Sequence, residues 1–275
     1  MRLKNPCGTT ARGRAWRWLV RGGILLGVGV LCGSYLLRPI AAQDTRLPFN
    51  AGERLRYAVR WRGLPAGNAE LVVRPDRTAP GRWKATAQAN SEGYVSNIYR
   101  VEDAYQSQFR NPGFCSSGIH KQIQEGDRHR DVKLEFDPRR RLARLEDRDM
   151  SDHTPPKVEQ FAIPECVQDI LSAVYYARSL PMTVGQSFEF PLNDGSKTIQ
   201  IHVEVQAEEE VTTEVGKFPA LRVEPDVFSG HLFSGKGRMF VWFTKDARRI
   251  PVQLRAQISV GTITATLADI GRATD

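Results

Sequence analysis

Strict alternation of polar and apolar residues is the feature that most narrows the fold of this chain. In GERLRYAVRWR, residues 52–62, four of the even-numbered residues are arginines, and the odd-numbered residues from 55 onward are aromatic or aliphatic. The two rows are Arg54, Arg56, Arg60 and Arg62, and Leu55, Tyr57, Val59 and Trp61. Because successive side chains of a β-strand point to opposite faces, this pattern predicts a strand with one wet face and one packed face.

A period of two recurs over most of the chain that follows. AELVVR, RWKATAQA, YRVEDAYQSQF, RDVKLEF and KTIQIHVEVQAEEEV all alternate, and turn sequences such as GLPAGN, NPGF, EGD and NDGS separate the strands. The pattern predicts about a dozen strands. Since strands do not alternate with helices, we predict an all-β, mainly antiparallel fold, in which a curved sheet forms a barrel-like structure or a sandwich.

One segment breaks the alternation. In ECVQDILSAVYYARSLP, residues 165–181, apolar residues recur at helical spacing and Pro181 ends the run, which predicts one main helix at about 166–179. The charged, proline-bearing stretch before it, residues 137–164, predicts a short strand followed by a long exposed loop. This loop is the natural boundary if the protein has two halves.

The first 42 residues have the layout of an export signal. They contain seven basic residues, no acidic residue and an uncharged run, GGILLGVGVLCGSYLL, followed by small residues that suit cleavage after Ala42. The run is shorter than the roughly 20 residues of a membrane-spanning helix. We therefore predict a cleaved signal peptide in residues 1–42, with an uncleaved N-terminal membrane anchor as the alternative. In both cases residues 43–275 are expected to form a single β-rich domain in the periplasm or cell envelope of a bacterium.

The net charge of +8 resides mainly in this leader. Removing its seven basic residues from the total of 39 leaves 32 basic residues against 31 acidic ones. A domain so balanced lacks the net field that draws proteins to nucleic acid, and no nucleic-acid partner is expected. We interpret the arginine row of residues 54–62 as the solvated face of a one-sided sheet. Phosphate headgroups at a membrane surface are the alternative for this row.

The domain that follows the leader contains two cysteines, Cys115 and Cys166. In an oxidising compartment they predict a disulfide, which closes a loop of about 50 residues. Two buried free thiols are the alternative. Apart from His120, no histidine lies near them in the sequence, so they make a poor metal site.

No motif in the sequence predicts catalysis, and we expect no catalytic residue, metal or cofactor. GHLFSGKG, residues 230–237, approaches a phosphate loop, but Gly237 stands where such a loop has Ser or Thr, and a strand follows. The arginine run 139–141 lies among acidic residues and is interpreted as an exposed, ion-paired loop. No two histidines have the spacing of metal ligands; the five are His120, His129, His153, His202 and His231.

Aromatic side chains on strands are the remaining candidates for a site. Tyr57 and Trp61 share one strand face, Phe240 and Trp242 share another, and the strand MFVWF is apolar on both faces. An ordinary core explains these faces, and a hydrophobic cavity or a partner surface is the alternative. They motivate our first hypothesis, a non-catalytic envelope protein that binds a lipid-like or other apolar ligand, or an envelope protein partner. The alternatives are a secreted hydrolase of polysaccharide or ester, motivated only by paired acids, and a purely structural assembly module.

Three stretches resemble a known family. They are FNAGERLRYAVRWRGLPAGNAEL, QDILSAVYYARSLPMTVGQSFEFPL and VWFTKDARRIPVQLRAQISVGTITATL. Together they resemble the domain of unknown function 3108 family of exported bacterial proteins over roughly residues 46–270. The resemblance implies a mostly β domain in the envelope and brings no known activity. Its motif positions here are Gly52, Glu53, Asp169, Leu171, Ser172, Tyr175, Arg178, Leu180, Pro181, Trp242, Asp246, Arg249 and Pro251.

Overall fold

The described residues fold into one antiparallel sheet of 14 strands with one short and one longer helix. The computed structural model describes residues 47–152, 154–195, 197–228 and 237–273. The elements are β1 (Glu53–Trp61), β2 (Leu64–Pro75), β3 (Arg82–Ser91), α1 (Gly93–Ile98), β4 (Glu102–Arg110), β5 (Ser116–Glu125), β6 (Arg128–Asp137), β7 (Leu142–Asp149), β8 (Lys157–Ala162), α2 (Ile170–Ser179), β9 (Ser187–Asn193), β10 (Thr198–Thr213), β11 (Gly216–Pro225), β12 (Arg238–Thr244), β13 (Pro251–Ile258) and β14 (Gly261–Arg272).

The strand order shows that the sheet consists of two meanders. It runs β8-β7-β6-β5-β4-β3-β2-β1-β14-β13-β12-β11-β10-β9, so every neighbouring pair except β1 and β14 is adjacent along the chain. The pairing of β1 with β14 joins the first meander, β1–β8, to the second, β9–β14. The sheet is curled but not closed, with β8 and β9 as its edges. The predicted all-β, antiparallel, barrel-like fold is confirmed.

Helix α2 lies against the curled sheet between the two meanders. Leu171 and Tyr175 pack into the core of the first meander, whereas Ala173 and Ala177 pack into the core of the second. The helix begins at Ile170, later than the predicted 166, because Asp169 is the N-cap: its carboxylate accepts hydrogen bonds from the backbone amides that open the helix. The residues before it are extended, and Gln168 forms a parallel bridge to Leu192 of the edge strand β9.

Two segments differ from the sequence-based expectation. The stretch 137–164 contains two strands, β7 and β8, where a short strand and a long loop were expected. Both strands carry many charges because their outer faces are solvated, and Ala143 and Leu145 supply the inner face. Helix α1 is short and buries none of its residues, which explains why it leaves no apolar periodicity in the sequence.

The core comprises three apolar clusters. The first meander supplies one, around Phe109, Leu134 and Tyr175, and the second supplies another, around Ile201 and Val205. A third cluster joins β1 of the first meander to strands β10–β14 of the second meander. Strand β12 serves two of them, because Phe240 and Trp242 belong to the third cluster while Phe243 belongs to the second. In the described part of the chain, no helix is long and apolar enough to cross a membrane.

Candidate functional site

The N-terminus of α2 is anchored by a fully buried carboxylate. Asp169 Oδ1 accepts the backbone amides of Leu171 and Ser172 at 2.8 and 3.0 Å. Its Oδ2 accepts the hydroxyls of Ser107 on β4 and Ser116 on β5, both at 2.6 Å. Burial raises the pKa of Asp169, whereas these four donated hydrogen bonds favour the charged form and oppose the rise. The carboxylate therefore fixes the helix to the inner face of two neighbouring strands.

The C-terminus of α2 is anchored by a buried ion pair. Arg178 is fully buried, and its guanidinium donates to both carboxylate oxygens of Glu53 at 2.6 and 3.1 Å. It also donates to the backbone carbonyl oxygens of Pro48 at 2.7 Å and Arg248 at 3.1 Å. The rings of Phe49 and Tyr175 lie against it, with centroids 5.6 Å from the guanidinium carbon. Every face of this cation is thus occupied by groups of the protein itself.

The turn between β12 and β13 completes this arrangement. Burial raises the pKa of Asp246, but hydrogen bonds from Thr244 and Arg248 outweigh it and hold that pKa below its usual value. The neighbouring Arg249 donates to the carbonyl oxygen of Arg178 at 3.4 Å, and burial lowers its pKa. The carbonyl oxygen of Pro251 accepts the hydroxyl of Tyr57 at 2.8 Å.

The family-motif residues therefore meet at α2 although they are far apart in the sequence. Glu53, Asp169, Arg178 and Arg249 join β1, the helix and the β12–β13 turn. We call this set of hydrogen-bonded residues the helix anchor. Its polar groups are turned toward one another and toward backbone groups, so the arrangement has the form of a structural device.

A disulfide crosses from the β4–β5 turn to the segment before α2. Cys115 and Cys166 are joined with their Cα atoms 5.0 Å apart. Their bond fixes the extended stretch 166–169, whose Val167 carbonyl oxygen accepts the amide of Ser116 at 2.8 Å. A second tie lies farther along β5, where the ammonium of Lys121 donates to the Asp194 carbonyl oxygen at 2.8 Å and lies 2.9 Å from its carboxylate. Burial raises the pKa of Asp194, and Lys121 opposes that rise.

An open groove lies beside the disulfide, on the first meander. It encloses about 540 Å³, and Cys115 contributes to its wall. Five arginines line it together with two acidic residues and an apolar floor, in which Leu142 is exposed while Phe136 and Ala143 are nearly buried: Arg82, Arg110, Arg139, Arg140 and Arg144, Glu135 and Asp137, and Phe136, Leu142 and Ala143. We call this feature the arginine groove.

The electrostatics of the arginine groove are unbalanced. Arg82 and Arg110 are direct cross-strand partners on β3 and β4, an arrangement of like charges that destabilises a sheet. The Nε atom of Arg82 is buried and has no hydrogen-bond partner among the described residues. Arg140 lies 3.7 Å from Asp137, and Arg144 is paired with Glu146, outside the groove lining. The groove therefore combines excess positive charge with an unsatisfied buried donor, and both features suit an anion.

The aromatic candidates fall into two environments. Tyr57, Phe240 and Trp242 are buried in the third core cluster, where Trp242 Nε1 donates to Glu209 at 2.7 Å. Trp61 lies at the end of β1, partly exposed, and donates to the carbonyl oxygen of Val260 at 3.1 Å. The structure thus separates the two aromatic residues of β1: one fills the core and the other lies at the end of the sheet.

The remaining polar candidates are dispersed over the outer surface. His120 and His202 each contact a carboxylate, that of Asp131 at 2.9 Å and that of Glu189 at 3.3 Å. His129 contacts the carbonyl oxygen of Gly126. Among the described residues, no three His, Cys, Asp or Glu side chains form a group that could hold a metal. Residues 1–42, His153, His231 and residues 230–236 of GHLFSGKG lie outside the described residues.

The paired acids behind the hydrolase hypothesis are also accounted for by local partners. Glu102 accepts from Arg100, and Asp103 accepts from Tyr105. Each member of the acidic run on β10 contacts a basic residue: Glu208 pairs with Lys245, Glu209 with Arg222 and Glu210 with Lys217.

These features define the class of protein. It is a curled antiparallel sheet with a disulfide, and buried polar residues hold a helix against the sheet. Residues 56–268 match the model of the protein of unknown function family DUF3108, and the chain belongs to that family. No curated protein matches the sequence.

Two solved structures align with most of this chain. The first is a β-barrel-like protein of the domain of unknown function DUF1849 from Brucella abortus, with a TM-score of 0.53 and 8% identity, covering 84% of this chain and 100% of that one. The second is a candidate exported protein with a YmcC-like fold from Bacteroides fragilis, with a TM-score of 0.37 and 12% identity, covering 82% and 98%. The likeness to the first structure concerns the fold alone.

Proposed function

We propose that this protein is an exported, non-catalytic envelope protein that binds an amphiphilic ligand with an anionic group in the arginine groove. The observation that carries the proposal is the groove itself, in which Arg82 and Arg110 face each other across two strands beside an apolar floor. A volume of about 540 Å³ falls within the range of small-molecule sites.

The chemistry of the groove favours an anion over a purely apolar ligand. Bringing two guanidinium groups together costs free energy that a shared anion would recover, because each would then donate a charge-assisted hydrogen bond. The exposed side chain of Leu142 in the apolar floor would contact a hydrocarbon part of the same ligand. The lipid-like ligand expected from the sequence would therefore bind on this outer groove, since the aromatic side chains of β12 pack in the core.

The disulfide and the leader support export. Disulfides persist in oxidising compartments such as the periplasm, and Cys115–Cys166 joins two segments that hold α2 in place. The export-type layout of residues 1–42, in which a basic segment precedes an uncharged, mostly apolar run, is an independent argument from the sequence.

The test is to express the full chain for export, purify it gently and compare native with denaturing mass spectra. A mass present only in the native spectrum, lost in the Arg82→Gln/Arg110→Gln double variant, is the expected result. Arg148→Gln is the matched control, because Arg148 is exposed on β7 and does not line the groove. A ligand that persists in the double variant would overturn the assignment of the groove. A protein without ligand that also fails to bind added lysophosphatidylglycerol would overturn the proposed function.

A further inference from the structure

Exposed apolar side chains are concentrated at one end of the sheet. Among the described residues, six large hydrophobic side chains are more than half exposed. Each belongs to a connection that follows an odd-numbered strand, or to the first residue after such a connection. The six are Leu64, Tyr94, Ile98, Tyr99, Met150 and Val260, with exposures between 51% and 73%. Because neighbouring strands are antiparallel, the turns after odd-numbered strands lie at the same end. We call these six residues the apolar rim.

The turns that carry the apolar rim are in contact with one another. Trp61, beside Leu64 in the β1–β2 hairpin, donates to Val260 of the β13–β14 turn. The amide of Glu92, which precedes α1, donates to the carbonyl oxygen of Ala66 on β2 at 2.8 Å.

The contacts continue toward the other edge of the first meander. The turn at Gly126 lies against the ring of Tyr99, and its amide donates to the carbonyl oxygen of Arg100 at 2.8 Å. The amide of Met150 donates to the carbonyl oxygen of His129 at 2.8 Å. The turns thus form a continuous row from the β13–β14 turn to the β7–β8 turn, in which the polar β5–β6 turn separates Tyr99 from Met150. Scattered apolar residues on a surface need no explanation, but a row of this kind marks an interaction site.

The charges beside the rim indicate what it contacts. Arg60 and Arg62 donate to the carbonyl oxygens of Gly63 and Val260, and neither has a carboxylate partner among the described residues. Arg62 also lies over the ring of Trp61, 5.1 Å from its centroid. This end of the sheet thus combines a tryptophan, two arginines and exposed apolar side chains. Such a combination suits the surface of a bilayer, where indole and guanidinium groups lie among the phosphates and apolar side chains reach the boundary with the acyl chains.

We propose that the apolar rim docks this protein on a phospholipid bilayer that contains anionic lipid. The six apolar side chains enter the boundary between headgroups and acyl chains, and Arg60 and Arg62 contact lipid phosphates. The acidic residues Glu92 and Asp127 lie on the same turns, so apolar insertion contributes more than net charge, and salt weakens binding only modestly. This proposal rests on the rim alone and is independent of the arginine groove.

The first test asks which end of the sheet meets the membrane. Val260→Cys and Val215→Cys are matched variants, since both valines are exposed turn residues and Val215 lies in the turn after the even-numbered β10. Each variant of the exported full chain is labelled with an environment-sensitive dye and mixed with vesicles of phosphatidylcholine and phosphatidylglycerol. The dye at 260 is expected to shift to shorter wavelength and to be quenched by spin-labelled lipid, whereas the dye at 215 is not. Each variant also carries Cys7→Ser and Cys32→Ser, so that the dye labels only the introduced cysteine if the leader is retained as an anchor.

The second test measures the contribution of the rim. The triple variant Leu64→Ser/Tyr94→Ser/Ile98→Ser is expected to bind vesicles more weakly. The lipid concentration that gives half of the dye shift at 260 should rise by about tenfold or more. The control, Val184→Ser/Ile270→Ser, changes exposed apolar residues away from both the rim and the arginine groove and should leave the titration unchanged. Equal shifts at 260 and 215, or no shift at either, would overturn the proposal. Concentration-dependent self-association without lipid, abolished by the triple variant, would also overturn it, because the rim would then bind a second copy of the chain.

Discussion

The buried pair of Glu53 and Arg178 offers the sharpest test of how the helix is held. Replacing Arg178 with Leu leaves the carboxylate of Glu53, 7% exposed, without its cationic partner. Breaking a buried pair in this way costs about 3–5 kcal/mol, because one charge stays buried and uncompensated. The carbonyl oxygens of Pro48 and Arg248 also lose a donor, at about 1 kcal/mol each. We expect the single variant to lose at least about 4 kcal/mol of unfolding free energy.

The double-mutant cycle separates the ion pair from the packing around it. Glu53→Leu alone leaves a buried guanidinium, whereas Glu53→Leu/Arg178→Leu removes both charges and retains apolar volume. The double variant should therefore be more stable than the sum of the single losses implies, with a coupling of about 2–3 kcal/mol. Urea unfolding of the exported protein, followed by circular dichroism, supplies all four free energies.

An exposed pair provides the matched control. Arg56 and Glu70 form an ion pair at 2.7 Å on the outer face of β1 and β2. The cycle Arg56→Leu/Glu70→Leu should give a coupling much smaller than that of the buried pair, because solvent screens the two charges. If the cycle at Glu53 and Arg178 gave a coupling no larger than this control, the helix anchor would not be held by its buried charges. If a single variant does not fold, Glu53→Gln, which keeps one acceptor oxygen, replaces Glu53→Leu in the comparison.

Three further predictions concern the sheet and its cross-links. The variant Cys115→Ala/Cys166→Ala should lose up to about 4 kcal/mol of unfolding free energy in urea titrations, because the bond closes a loop with a sequence separation of 51. Gly67→Ala should lose more than about 2 kcal/mol in the same assay, since its φ is +157° and a Cβ would lie 2.0 Å from a backbone oxygen of β3. The ion pair with Arg238 holds the pKa of Glu224 below its usual value of 4.5, so the unfolded state binds the proton first. Stability should fall as pH drops from about 4.5 through the lower folded pKa, by less than about 1 kcal/mol, and Glu224→Gln should lack this part of the pH profile.

Each of these predictions has an outcome that would refute it. Equal unfolding midpoints with and without a reducing agent in the parent protein would remove the structural role of the disulfide. Gly195→Ala serves as the control for Gly67→Ala, because nothing lies within 4 Å of a Cβ at that position. Equal losses in the two glycine variants would rule out the close approach of β2 and β3 as the cause. An unchanged acid profile in Glu224→Gln would show that Arg238 does not perturb the carboxylate in solution.

The fold was largely readable from the sequence because the local signals agree with one another. Alternation identified most strands, and the placement of Leu55 and Tyr57 in the core follows directly from their parity. The sequence did not reveal both β7 and β8, because the charged residues on their outer faces outnumber the apolar residues that face inward. The start of α2 was placed too early because apolar spacing extends to Val167, whereas the N-cap at Asp169 determines where the hydrogen bonds begin.

The site was much less readable, because its members are brought together by register and curl. Arg178 is separated from Glu53 by 125 residues, and a charged residue on a helix is ordinarily solvated, so nothing local marks it as buried. The arginine groove depends on Arg82 facing Arg110, which follows from the pairing of β3 and β4 and from no motif. The run at 139–141 was seen as an ion-paired loop, and only the structure shows that Arg139 and Arg140 line the groove.

The order of the strands has a consequence for circular permutation of the chain. The single pairing between sequence-distant strands, β1 with β14, lies where the two ends of the described chain meet, and the amide of Ala273 donates to the carbonyl oxygen of Gly52 at 2.9 Å. A circular permutant that links residue 273 to residue 47 and opens the chain between β8 and α2 would place all 14 strands in one uninterrupted meander. Its contact order would fall sharply while the native contacts remain, so such a chain should reach the same structure faster. In the natural connectivity, the two meanders are joined within the sheet only where the first strand pairs with the last.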